Sequence, residues 1–211
     1  MKNIVIIGCG DFGREVNWII GRVNAVKEEW KVVGFVDDNE DLINKKIDGT
    51  EVIGNIDFLS KLGNVYVICA VCNSKARKRI IERISHFNNI SFATIIDPTA
   101  ICHHTAEIGE GSVLCCNTMV NIETKIGNHV VLVDRSAVGH NSDVGDYSVM
   151  FVGSIVAGNV KIGKCSELGM GSTVIQGKNI GENTVIGASA CVIDDIPSNC
   201  IAVGVPAKVK K

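Results

Sequence analysis

An Ile-Gly or Val-Gly pair stands at 108–109, 126–127, 144–145, 162–163 and 180–181, so it recurs every 18 residues without a slip. Eighteen is three sixes, and the finer period is present as well. Cys102, Ile108, Leu114, Val120 and every sixth residue on to Val192 are apolar, sixteen positions in succession. A helix repeats its buried face every 3.6 residues and a strand every 2, so neither yields a strict six. Three short strands per coil, each turning one aliphatic side chain inward, do yield it. Residues 98–211 therefore read as a hexapeptide parallel β-helix, with about five coils between 102 and 192 around an aliphatic column. The glycines are expected to supply special backbone angles at the corners. A β-sandwich would space its turn signals irregularly and fits far worse.

Residues 1–97 follow a different grammar. "KNIVIIG", "KVVGFVDDN" and "NVYVICAV" read as buried strands, while "DFGREVNWIIGRVN" and "SKARKRIIERI" carry helical periodicity, so a parallel α/β sheet is expected. The loop G-C-G-D-F-G after the first strand matches G-x-G-x-x-G through Gly8, Gly10 and Gly13, and Asp37 lies 24 residues beyond the last glycine. That pattern alone would point to NAD. The domain, however, holds only about one mononucleotide-binding half of a doubly wound sheet, so a dinucleotide would lack its second cradle. One nucleoside diphosphate at a helix N-terminus suits it better; an NAD-linked enzyme and a purely structural turn stay open as alternatives.

A formal net charge of −2 gives no basic field for nucleic acid or anionic lipid. No apolar run approaches the roughly 20 residues that span a bilayer, and the N-terminal "MKNIVIIGCGDFG" is too soon broken for a signal peptide, so the expected location is the cytoplasm. The nine cysteines lack the spacing of a secreted disulfide framework, and no C-x-x-C or H-x-x-x-H pair accompanies the "ICHH" (101–104) and "LCC" (114–116) stretches, which argues for apolar packing in a reducing compartment and against a metal site.

With "IIGCGDFG", "FVDDN", a Gly-His pair in mid-prism, "VIDDIP" and the terminal "GVPAKVKK", the whole chain resembles the NeuD/PglD-type sugar acetyltransferases. The resemblance implies a left-handed prism, a homotrimer, acetyl-CoA as acyl donor, and a nucleotide-linked bacterial surface sugar, UDP-linked in the first instance, as acceptor of the acetyl group on an amine or hydroxyl. It places the catalytic base on His140. It further implies that Gly158, Met170, Gly187 and Ala188 line the acetyl-CoA channel, with Pro206 and Lys208 flanking the cofactor. The nucleotide-sugar pocket would use Gly8, Gly10, Gly13, the acidic pair Asp37 and Asp38, and Asn73 and Arg77 of "AVCNSKAR".

A histidine suits the base of acetyl transfer because its ordinary pKa lies near neutral pH. A structural histidine capping a coil is the competing reading. Two departures from the family stand beside it. The residue after the histidine is Asn141 where relatives usually carry an acid, and Val149 stands where many carry a second histidine. Residues 18 apart stack on successive coils about 4.8 Å apart. Glu123 should therefore lie directly beneath Asn141, one coil before, and supply part of the missing carboxylate, with Asp143 a weaker candidate. Both departures leave room for a second class of function, a trimeric binding or scaffold protein with weak or no catalysis. Ser142 has no nucleophile elbow around it, so an acyl-enzyme is not expected.

Overall fold

The structure is a computed structural model that describes residues 1–210. Two compact units divide it, the first Met1–Pro98 and the second from Thr99 onward. No helix among the described residues is long and apolar enough to cross a membrane.

In the first unit, strand β1 (Lys2–Ile7) is flanked by β2 (Trp30–Val36) and β5 (Val65–Cys69). The hairpin of β3 (Lys46–Ile47) and β4 (Thr50–Gly54) adds at the β2 side and β6 (Ile90–Phe92) at the β5 side, giving the order β3-β4-β2-β1-β5-β6. All pairs are parallel except β3 with β4. Ile4 to Ile7 are fully buried in succession, as expected for a central parallel strand covered on both faces. Helix α1 (Asp11–Val26) buries Val16, Ile19 and Ile20 at helical spacing, and α2 (Ser74–Ile84) buries Arg77, Ile81 and Ile84. The loops that follow β1, β2 and β5 lie together at the carboxyl ends of three neighbouring strands, where open α/β sheets bind their ligands.

In the second unit every coil contributes one two-residue strand to each of three walls. Ala137 pairs with Ile155, Asp143 with Lys161 and Val149 with Glu167, so the 18-residue step is also the ladder register. The inward residues from Leu114 to Val192 form one buried column. Cys102, at its head, is exposed rather than enclosed, because no further coil stacks on the first. The period fails at the other end: Ile180 bridges Ile196 and Ile186 pairs with Ala202, a step of 16, after which Ile201–Val203 and Lys208–Lys210 close the prism as an antiparallel hairpin.

The recurrent Ile/Val-Gly glycines do not serve as expected. None of Gly109, Gly127, Gly145, Gly163 or Gly181 has a positive φ. A Cβ on Gly145 would stand 2.7 Å from the backbone nitrogen of Lys164, and one on Gly109 2.5 Å from the carbonyl of Gly127. These glycines let one coil settle on the next. The left-handed backbone falls two residues later, on His129 (φ 54°), Tyr147 (62°) and Cys165 (55°) among others, while at four corners glycines do supply it as expected, Gly111 (69°), Gly153 (67°), Gly171 (64°) and Gly177 (73°). Gly145→Ala should therefore cost about 1–3 kcal/mol, the usual penalty for forcing atoms into a packed interior, seen as a lowered urea midpoint with an unchanged slope.

Candidate active site

His140 occupies the corner between Ala137–Val138 and Asp143–Val144. It is half-buried, and its Nδ1 lies 2.9 Å from Oδ1 of Asn141. Nδ2 of Asn141 donates to Oε2 of Glu123 at 2.6 Å. The stack predicted from the 18-residue step thus brings Glu123 to Asn141 and, through its amide, to the ring. Asn141 (φ 55°) and Glu123 (φ 52°) both take the left-handed corner conformation, which asparagine tolerates better than most residues. The N–H of Glu123 is held by Oγ1 of Thr105 at 2.9 Å. Asp143 points outward from its wall and is exposed.

On its other side the ring lies over Gly158, one coil later. A Cβ there would overlap Cε1 and Nε2 of His140. The carbonyl of His140 accepts from the N–H of Asn159 at 2.8 Å, so base and glycine belong to one stacked corner. Among the described residues the N–H of Gly158 takes no hydrogen-bond partner. It occupies the second position of the corner turn, where the N–H points out of the ladder. At some corners a side chain one coil on caps that position, as Asp146 caps Asn128 at 3.0 Å; at others, such as Asp134 and Lys164, the N–H is uncapped among the described residues, as at Gly158. Met170 and Ala188 hold the same turn position and their N–H groups are likewise unpartnered, among the described residues. Gly187 differs: its N–H donates to Ala202 at 2.8 Å and Val203 fills the space a side chain would take. Ser142 is buried, donating to the carbonyl of Ala157 and accepting from the N–H of Val160, which makes it a rung of the corner and not an exposed nucleophile. Val149 is fully buried.

These residues do not share one corner. His140 and Gly158 lie where the wall starting at Ile101 turns into the wall starting at Glu107; Met170, Gly187 and Ala188 lie at the opposite edge of that first wall. The tail carrying Pro206 folds back in the closing hairpin, where Lys208 reaches Asp194 at 3.3 Å.

In the first unit Gly8 (φ 94°) turns the chain out of β1, and Gly13 lets α1 approach it, since a Cβ there would overlap the Gly8 carbonyl. Gly10 begins α1 with no side-chain cap. The acidic pair divides. Oδ2 of Asp37 accepts from the N–H of Cys9 at 3.1 Å and its thiol at 3.3 Å, tying the glycine loop to the end of β2. Burial and then this carboxylate push the Cys9 thiol up to about 11. Asp38 instead faces Arg83, at 2.6 Å, which also grips Asp57. That guanidinium holds the Asp57 carboxyl below its usual range. Asn73 caps α2 by accepting from the N–H of Ala76. Arg77, expected to approach phosphates, is fully buried and donates to the carbonyls of Val71 and Cys72, so it stiffens the loop from within. Sequence reasoning missed Arg83; its position near the end of α2 gave no sign that it reaches two loops.

A mononucleotide-type sheet joined to a parallel β-helix with a histidine at one corner defines a two-domain protein of the hexapeptide-repeat class. The PglD N-terminal domain family matches residues 3–84. The UDP-N-acetylbacillosamine N-acetyltransferase of Bacillus subtilis is 30% identical over 120 residues, 54% of this chain and 51% of that protein, so the match spans about half the length of this curated relative. Among solved structures, PerB from Caulobacter crescentus, in complex with CoA and GDP-perosamine, is 27% identical with a TM-score of 0.89, covering 100% of this chain and 98% of its own. The acetyltransferase domain of PglB from Neisseria gonorrhoeae reaches 0.91 at 25% identity, with both chains covered completely. In its N-terminal domain and in its fold the chain is similar to the NeuD/PglD-type sugar acetyltransferases. Its prism is the left-handed β-helix of these structures.

Proposed function

We propose that the chain transfers an acetyl group from acetyl-CoA to an amine of a nucleotide-linked sugar, with His140 as general base. The observation that carries this reading is the meeting of Nε2 of His140 with Gly158, whose N–H has no partner among the described residues. A base and an oxyanion donor stand side by side, which is what attack on a thioester requires. The amine nitrogen bonds to the thioester carbon as its proton passes to Nε2. The carbonyl oxygen gathers charge against the Gly158 N–H. Collapse breaks the carbon–sulfur bond, and the proton on Nε2 goes to the departing CoA thiolate.

An amine is favoured over a hydroxyl because the B. subtilis relative and the structurally similar perosamine N-acetyltransferase of C. crescentus are both named as N-acetyltransferases. The nucleotide is expected to bind at the Gly8–Gly13 loop with Asp37 and Asp38 nearby. UDP is the first candidate, as in the B. subtilis relative's name, and GDP the second, as in the PerB complex. Acetyl-CoA and a sugar nucleotide as substrates fit work in the cytoplasm.

The channel residues need a second copy. Ile101, Met119, Ala137 and Ile155 project outward in one column on the wall between the two corners, and Ile101, Met119 and Ile155 are exposed. Packing of that apolar wall against neighbours would set the Met170 and Ala188 corner of one protomer opposite His140 of the next, and the expected assembly is a trimer; sedimentation at monomer mass would contradict it. Incubation with acetyl-CoA and a panel of UDP- and GDP-linked amino-sugars should release free CoA thiol with at least one acceptor. No release above the acceptor-free rate across the panel would overturn the reading.

A further inference from the structure

We propose that Glu123 is a positioning residue that selects the tautomer of His140 by fixing which way round the Asn141 amide sits. The inference rests on the reading of His140 as the base.

An amide side chain has one end that only accepts and one that only donates, and an ionised carboxylate can only accept. With Oε2 of Glu123 2.6 Å from the amide, the NH₂ group must face Glu123. The amide oxygen must then face His140, 2.9 Å from Nδ1. Since that oxygen can only accept, Nδ1 must carry the proton of the neutral ring. The lone pair is thereby left on Nε2, against Gly158, where the proposed chemistry needs it. Without the carboxylate, either end of the amide can turn to the ring. In the reversed arrangement the NH₂ donates to a bare Nδ1, the proton moves to Nε2, and the base points its lone pair away from the acceptor. An acid directly after the histidine would need no such help, as it can accept only; Asn141 makes the ring depend on a residue one coil away. Glu123 is itself held in place, its N–H on Thr105 and its backbone in the left-handed region that a glutamate seldom adopts.

The test is a double-mutant cycle with a readout that does not need turnover. In ¹⁵N-labelled protein at about pH 8, above the ordinary histidine pKa, the ring nitrogen shifts of His140 should report an Nδ1–H tautomer. Glu123→Gln should give a substantial Nε2–H population, and adding Asn141→Asp should return the ring to Nδ1–H. In parallel, Glu123→Gln should lower kcat about ten- to a hundredfold, within the range of a misplaced general base, but cost less than about threefold when Asn141→Asp is already present, because sites that act only through one partner uncouple when it is replaced. Gln keeps the shape of Glu at an exposed corner, so folding should be unaffected. An unchanged tautomer ratio in Glu123→Gln, or an equal loss in both backgrounds, overturns the relay. Absence of any transfer by the unmodified chain would instead overturn the acetyltransferase reading, and the nitrogen shifts would still decide the relay.

Discussion

His140→Ala is expected to bind acetyl-CoA as the unmodified chain does, yet transfer the acetyl group about 10² to 10⁴ times more slowly, the usual worth of a positioned general base. That range is about 3–5.5 kcal/mol of transition-state stabilisation. Binding should survive because the corner is built from backbone ladders that do not use the imidazole. Ser142 bridges Ala157 and Val160, and the His140 carbonyl is a main-chain group any residue supplies. The loss should appear in kcat, with little change in KM for acetyl-CoA. Calorimetric titration with CoA and steady-state thiol release measure the two separately. A variant that retains full kcat would remove His140 from the chemistry.

Gly158→Ala is expected to lower kcat by a factor on the order of 10², with little effect on stability. The new methyl overlaps Nε2 and Cε1 of His140, atoms at the far end of a side chain that can swing aside. The fold therefore yields cheaply while the base is displaced, and a misplacement of about 1 Å can cost that much in rate. Gly145→Ala provides the contrast. There the added carbon meets backbone that cannot move, at 2.7 Å from the Lys164 nitrogen, so stability suffers first. Thermal midpoints and kcat of the two variants should separate in opposite directions; equal stability losses would mean that the Gly158 corner is as rigid as the others.

The prism was the most legible part of the chain because a solenoid turns sequence separation into distance. One step of 18 residues is one rung, so the pairing of Glu123 with Asn141 follows from arithmetic and is found as a 2.6 Å hydrogen bond. The same arithmetic fails where the step drops to 16, and there Gly187, expected to face a cofactor, is covered by Val203. The glycines divide: Gly111, Gly153, Gly171 and Gly177 supply left-handed corners, whereas the Ile/Val-Gly glycines serve close approach, a difference the period does not encode. In the first unit the glycine loop and the ends of β1 and β2 could be read from local pattern. The partners of Asp38 and Arg77 could not, because they depend on how separate loops fold back, and no local spacing encodes that. Which carbonyls Arg77 would reach, and that Arg83 would join Asp38 to Asp57, are properties of tertiary structure alone.

Acetyl transfer to a sugar amine at the His140 corner leaves a signature that can be followed atom by atom. Its most direct test is to supply acetyl-CoA carrying ¹³C in the acetyl group together with the nucleotide-linked amino-sugar that gives the fastest thiol release, and to follow the label by NMR. The thioester signal should be replaced by an amide signal on the sugar, one acetyl per thiol released, and His140→Ala should slow both about a hundredfold or more. Label that remains on CoA or passes to water while thiol is released, or an amide signal that grows equally fast in His140→Ala, would contradict it.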